Sequence, residues 1–138
     1  MFKILFGGRA RPSYTAPSTF TGADIWEQGM PLTLTSGGVL TAAKHNSQPY
    51  GLALEYRRSA ADDQTAGDHV GSIVVDPAVV QSDQYASGIS NFVIGNSLYV
   101  TDGGDIINSD PGSGVKIGVL LSAPDASGNI TFLFDPQY

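Results

Sequence analysis

The stretch "PLTLTSGGVLT", Pro31 to Thr41, sets Leu32 and Leu34 in alternation with Thr33 and Thr35. A period of two puts the leucines on one face of a strand and the threonines on the other. Ser36, Gly37 and Gly38 then supply a tight turn, and Val39 and Leu40 start a returning strand. "YGLALEYR", Tyr50 to Arg57, alternates again, and "DDQTAGD", Asp62 to Asp68, is a polar loop. "VGSIVV", Val70 to Val75, reads as a buried strand that ends at Asp76-Pro77. "NFVIG", "SLYVT", "KIGVLLS" and "NITFLF" complete the series of strands. "TGADIWEQGM", Thr21 to Met30, offers one helical turn, with Trp26 as a core anchor. No segment sustains a helical period. Short strands arriving about every ten residues predict a mainly β protein, a small barrel or sandwich.

The pattern is also written twice. "SLYVTDGGDII", Ser97 to Ile107, matches the first hairpin position by position. Leu32, Leu34, Thr35, Gly37, Gly38 and Leu40 correspond to Leu98, Val100, Thr101, Gly103, Gly104 and Ile106, an offset of 66 residues. After each hairpin comes a polar loop and a second matching strand: "YGLALE" from Tyr50 pairs with "IGVLLS" from Ile117, at an offset of 67. Two copies are too few for a solenoid, which needs at least about three. The expectation is therefore a pseudo-symmetric barrel, or two similar hairpin-plus-strand units sharing one core, with the repeat at residues 30–56 and 96–122.

Residues 1–23 differ from the rest, mixing Gly, Pro, Ser and Thr with scattered aromatics. Pro12 and Pro17 forbid a continuous helix there. The segment reads as an extended N-terminal arm ahead of a β-rich body at 24–138. Its aromatics would be wasted on a free tail, so it should lie along its own body or along a partner. Lys3, Arg9 and Arg11 give it a charge of +3, whereas the body holds four basic and thirteen acidic side chains. The body's acidity argues against nucleic acid, which demands a positive footprint.

The 138 residues suit one domain, and a chain of this size buries roughly 68% of its unfolded surface. Only 14% of residues are charged, against about 25% in typical soluble domains. There is no cysteine, which removes thiolate chemistry and disulfides. The apolar run in "MFKILFGG" is shorter than the ~7–15 residues of a leader's core, and no stretch approaches the ~18 of a membrane span. "DPGSGVKIG" lacks phosphate-loop spacing, and no nucleophile-elbow motif occurs. His45 and His69 each sit in a polar loop context with no ligand spacing. Asp102 and Asp105 flank the second double glycine, where the first copy has Ser36 and Val39, so they read as turn residues. Asn129 in "NIT" fits a glycosylation acceptor. Neither a catalytic residue nor a metal or other cofactor is called for. A hydrolase would have to draw on these aspartates, and nothing selects a pair.

The order "GMPLTL", "GGVLT", "YGLAL" across Gly29 to Leu54, echoed by "IGVLLS", resembles head decoration (cement) proteins of tailed bacteriophages. The resemblance covers about residues 20–56 and 91–134 and departs from the family in having two copies of the pattern. It implies a non-enzymatic structural protein on the outer surface of a virion capsid, stabilising it by bridging major capsid protein subunits. It also implies a homo-oligomer, with a trimer favoured, and an N-terminal arm that orders on binding. On that reading Phe2, Lys3, Phe6, Arg9, Arg11, Tyr14 and Phe20 carry capsid binding, the aromatics supplying buried area and the cations complementing acid. The alternative is a carbohydrate-binding β-module or adhesin. It would need an exposed row of aromatics, whereas Tyr50, Tyr56, Phe92, Tyr99, Phe132 and Phe134 sit inside strand patterns, where core packing accounts for them ahead of sugar stacking.

Overall fold

The computed structural model describes residues 2–8, 10–11, 14–15, 28–34, 40–42, 46–54, 69–70, 73–74, 76–89 and 91–135. In chain order the strands are β1 Lys3–Gly7, β2 Ala10–Arg11, β3 Tyr14–Thr15, β4 Pro31–Leu34, β5 Leu40–Ala42, β6 Gly51–Ala53 and β7 His69–Val70. They continue with β8 Ile73–Val74, β9 Ala78–Ser82, β10 Ser97–Val100, β11 Ile106–Ile107, β12 Gly118–Ser122 and β13 Ile130–Phe134. The chain is mainly β, as its short alternating segments dictate, and no helix occurs among the described residues. The helical turn expected around Trp26 lies outside them, as do the 35–39 turn, the 62–68 loop and His45.

The strands form a six-stranded sheet, β1-β9-β13-β12-β10-β11, a five-stranded sheet, β2-β8-β6-β4-β5, and a two-stranded pair, β3-β7. All their pairings are antiparallel. The small pair continues the β2–β8 ladder in register, since Ala10 faces Val74 and Tyr14 faces Val70.

The written repeat is a structural repeat, and it holds residue by residue. In the first copy Leu34 faces Leu40 and Leu32 faces Gly51. In the second, Val100 faces Ile106 and Leu98 faces Gly118, the same pairs at the offsets read from sequence. The equivalence extends further than the sequence pattern. β8 follows β6 in one sheet as β13 follows β12 in the other, and β2 and β9 close the two sets. Each unit therefore has its first strand beside its fifth, then its fourth, second and third. β1 is an addition to the second unit, hydrogen-bonded along β9.

Two elements differ from the alternation read along the chain. β9, which lies between β1 and β13 in the six-stranded sheet, was hidden behind Asp76-Pro77, read as a stop. Proline offers no N–H but is tolerated where a strand begins, and Val79 beside Val80 blurs the period of two. "NFVIG" is a turn and not a strand. Asn96 Oδ1 accepts from Val93 N–H at 2.9 Å, Asn96 N–H donates to Val93 O at 2.9 Å, and Gly95 has φ +92°. Phe92 alone of that segment reaches the core, meeting Tyr85 edge-on with centroids 5.2 Å apart. Of "VGSIVV", Val70 lies in β7 and Ile73 and Val74 in β8.

One core serves both units. Leu52 and Val74 of the first join Val80, Leu98, Leu120, Ile130, Phe132 and Phe134 of the second, all fully buried. At its centre Gly118 sits between Leu98 and Phe134. A Cβ there would run into the Leu133 carbonyl oxygen, so no side chain fits without moving backbone. Gly104, at φ +84°, is similarly tied: a Cβ would come within 2.8 Å of the Met30 sulfur, where the second unit's hairpin turn packs on the start of the first.

Gly118→Ala is expected to lower stability by about 2 kcal/mol or more, because a packed backbone must shift. Gly88→Ala, at positive φ with open space around it, should lose only about 1 kcal/mol. Urea midpoints of the two variants measure the difference, and equal losses would refute the close-packing account.

Candidate functional site

The N-terminal segment lies along its own body wherever it is described. β1 pairs with β9, Lys3 facing Gln81 and Gly7 facing Ala78, with an irregularity between Ile4 and Phe6. β2 is the first strand of the five-stranded sheet. Phe2 is buried, and Gly29 (φ +88°) makes room for its ring: a Cβ on Gly29 would lie 2.7 Å from Phe2 Cδ2. Phe6 points the other way and is 73% exposed, and Lys3 is exposed beside it.

The seven residues expected to bind capsid are thus distributed rather than gathered. Phe2 belongs to the core, and Lys3 and Phe6 occupy the surface of β1. Arg11 and Tyr14 occupy backbone positions in β2 and β3. Arg9 and Phe20 lie outside the described residues. A free arm that orders only on a partner does not describe residues 2–8, which are already paired. The reason is elementary: pairing with β9 satisfies the backbone groups on one side of β1, and Phe2 is withdrawn from water.

Phe6 does not stand alone on its surface. Directly opposed across the six-stranded sheet are Phe6 and Val79, Val79 and Leu133, Leu133 and Val119, and Val119 and Ser97. Residues directly opposed across an antiparallel pair share a face, here the one turned away from Val80, Leu120 and Phe132. With strands about 4.8 Å apart, the row runs roughly 19 Å. Val79, Leu133 and Val119 are half-buried, as are Tyr99 and Ile107 on the same face. A sheet with one wet face usually alternates apolar-in and polar-out, so an apolar outer row marks a candidate interaction face. The flank nearest Lys3 is polar, formed by Gln81, Thr131 and Ser122, and Asp135 follows Leu133 and Phe134 on the other flank.

The two edges of this sheet are treated differently. Outside β11, Ile106 N–H donates to Gln84 O and Ala86 N–H to Ile106 O, both at 2.9 Å, so residues 84–86 cover that edge. β1 has no partner on its outer side among the described residues. A second exposed apolar cluster lies at the sheet's end. Val93 and Ile94 are 61% and 69% exposed, and their turn is bound to β12 by Gly95 N–H to Leu120 O, next to the exposed Leu121.

The polar loops are built as turns. Asp110 Oδ1 accepts from Gly112 N–H and Gly114 N–H at 2.9 and 2.8 Å. Asp125 Oδ1 accepts from Ser127 N–H and Asn129 N–H at 2.8 and 3.0 Å. In the 101–105 turn, Gly104 N–H donates to Thr101 O and Thr101 N–H to Asp105 O. In the first two an aspartate does local backbone work, for which its short acceptor suits it; in the third the side-chain acceptor is Thr101 Oγ1, which accepts from Asp105 N–H at 3.2 Å. Among the described residues no three His, Asp or Glu side chains are grouped to hold a metal ion. Asn129 is 4% exposed, so its amide is closed to glycosylation in the folded chain. His69 falls in β7 and not in a loop.

Comparison with family models, with curated proteins and with solved structures finds no match to this chain.

The opposite fates of Phe2 and Phe6 make a direct test of this placement. Phe2→Ala should lower stability by about 3 kcal/mol, and Phe6→Ala by less than about 0.5 kcal/mol. Paired denaturation curves decide it; equal effects would mean that β1 is placed with the wrong face inward.

Proposed function

We propose that this chain is a structural protein of a virion that binds the outer surface of a capsid and stabilises it by bridging major capsid protein subunits. The observation that carries the reading is β1: an edge strand with no outer partner among the described residues, an exposed Phe6 and an exposed Lys3. An open edge offers unpaired N–H and C=O groups to a strand of a partner, and an aromatic beside it adds buried area. Lys3 gives that edge a positive charge in a chain whose net charge is −6. The patterned likeness to phage head decoration proteins supplies the class of partner. On this reading the chain performs no catalysis and works as a homo-oligomer.

The carbohydrate-binding alternative is the weaker one. Phe92, Phe132 and Phe134 are buried in the core, so they are withheld from stacking on sugars.

Phe6→Asp leaves the core untouched and puts a charge on the open edge. It should weaken binding to capsids assembled from the major capsid protein of the same virus by at least about tenfold, with Phe6→Leu retaining most of it. Co-sedimentation with such capsids reads the effect. Undiminished binding by Phe6→Asp would remove β1 as the capsid contact, and absence of binding by the unaltered protein would remove the capsid reading itself.

A further inference from the structure

The repeat shows what each sheet face becomes in its two copies. Leu52 is equivalent to Val119, and since Leu52 faces Val74 while Val119 faces Leu133, Val74 is equivalent to Leu133. In the first unit this face is fully buried: Leu52 and Val74 lie in the core with Ala78, Leu98, Leu120 and Phe132. Gly8 marks the contact, because a Cβ on it would lie 3.0 Å from Val74 Cγ1 and 3.1 Å from Ala78 Cβ. The two units therefore pack back to front, the back of the first against the front of the second. The back of the second unit is the same surface, with no further sheet over it among the described residues. It carries Val79, Leu133 and Val119 in direct cross-strand opposition and is only half-buried.

We infer that this face, centred on Val79, Leu133 and Val119, is the site at which two copies of the chain associate about a two-fold axis. The occupant is argued from three features. Inside the chain the equivalent face is sealed by another apolar sheet face, which is the surface chemistry a second copy presents. The row itself is uncharged, so two chains of net charge −6 can meet there without placing like charges in contact. Its flanks are also complementary. Lys3 lies on one side of the row and Asp135 on the other, and a two-fold running along the row brings the basic flank of each copy over the acidic flank of its partner. A face roughly 19 Å long and about 14 Å deep offers a few hundred Å². That is less than the ~800 Å² per partner of a standard interface, so the pair dissociates on dilution.

Sedimentation velocity on the purified chain alone, from about 1 to 100 µM, tests this without any capsid, so its failure and that of the capsid reading are separable. The mass should rise from 14.4 kDa toward twice that value with concentration. Val79→Thr/Val119→Thr/Leu133→Thr keeps strand-forming side chains but removes the apolar row, and should raise the dissociation constant at least about tenfold. Lys3→Asp, an exposed change that does not depend on repacking the sheet, should weaken the dimer, and Lys3→Asp/Asp135→Lys should restore it. A chain that stays monomeric throughout, one that forms trimers without dimers, or a triple-threonine variant that dimerises like the parent would each overturn the inference. So would a Lys3→Asp variant that pairs as tightly as the parent.

Discussion

At Gly118 the strands β12 and β13 come so close that the Leu133 carbonyl oxygen occupies the space a Cβ would take. Gly118 is opposed by Leu98 on one side and Phe134 on the other, so this contact sets the spacing across the middle of the six-stranded sheet. The fully buried Leu98, Leu120, Phe132 and Phe134 depend on that spacing to fill one layer. Gly51 holds the matching place in the first unit, opposite Leu32. The glycine inside an apolar strand is thus the most specific mark of the repeat, more so than the glycines of the hairpin turns.

The two units share topology and register but not environment. β6 is buried at Gly51, Leu52 and Ala53 alike, so both of its faces are closed to water. β12, its equivalent, alternates from buried Gly118 to half-buried Val119 to buried Leu120 before ending in exposed residues. That asymmetry is unavoidable when two like sheets stack back to front, because one back must remain outside. β1 extends the exposed unit, Phe2 anchors it inward, and Phe6 continues the outward row. Both proposed contacts, with a capsid and with another copy, fall on this one sheet.

Much of the architecture was legible along the chain. Leu32, Leu34, Leu98 and Val100 announce strands by alternation, and the offsets of 66 and 67 residues anticipate the matching cross-strand pairs. The glycine pair at 103–104 and the aspartates around it were readable as turn chemistry, since their backbone demands are local. Legibility failed where neighbours outweigh local pattern. Val93 and Ile94 favour strands by residue type, yet Gly95 and Asn96 bend the chain and leave both in solvent. β9 followed a proline that looked like an end. The face formed by Val79, Val119 and Leu133 was invisible, because three residues far apart in sequence meet only through pairing register.

Alternation, turn residues and repetition are short-range properties, and they sufficed to specify a mainly β chain of two like units with an extended start. Whether an apolar strand residue faces the core or the solvent is a different matter, since β9, β12 and β13 are apolar at successive positions and a one-residue change of register would exchange their faces. Tertiary packing made that choice: it sent Phe2 inward and Phe6 outward, buried Leu52 and left its counterpart Val119 at the surface. Two equivalent faces differ in exposure because, among the described residues, only one of them is covered by a second sheet.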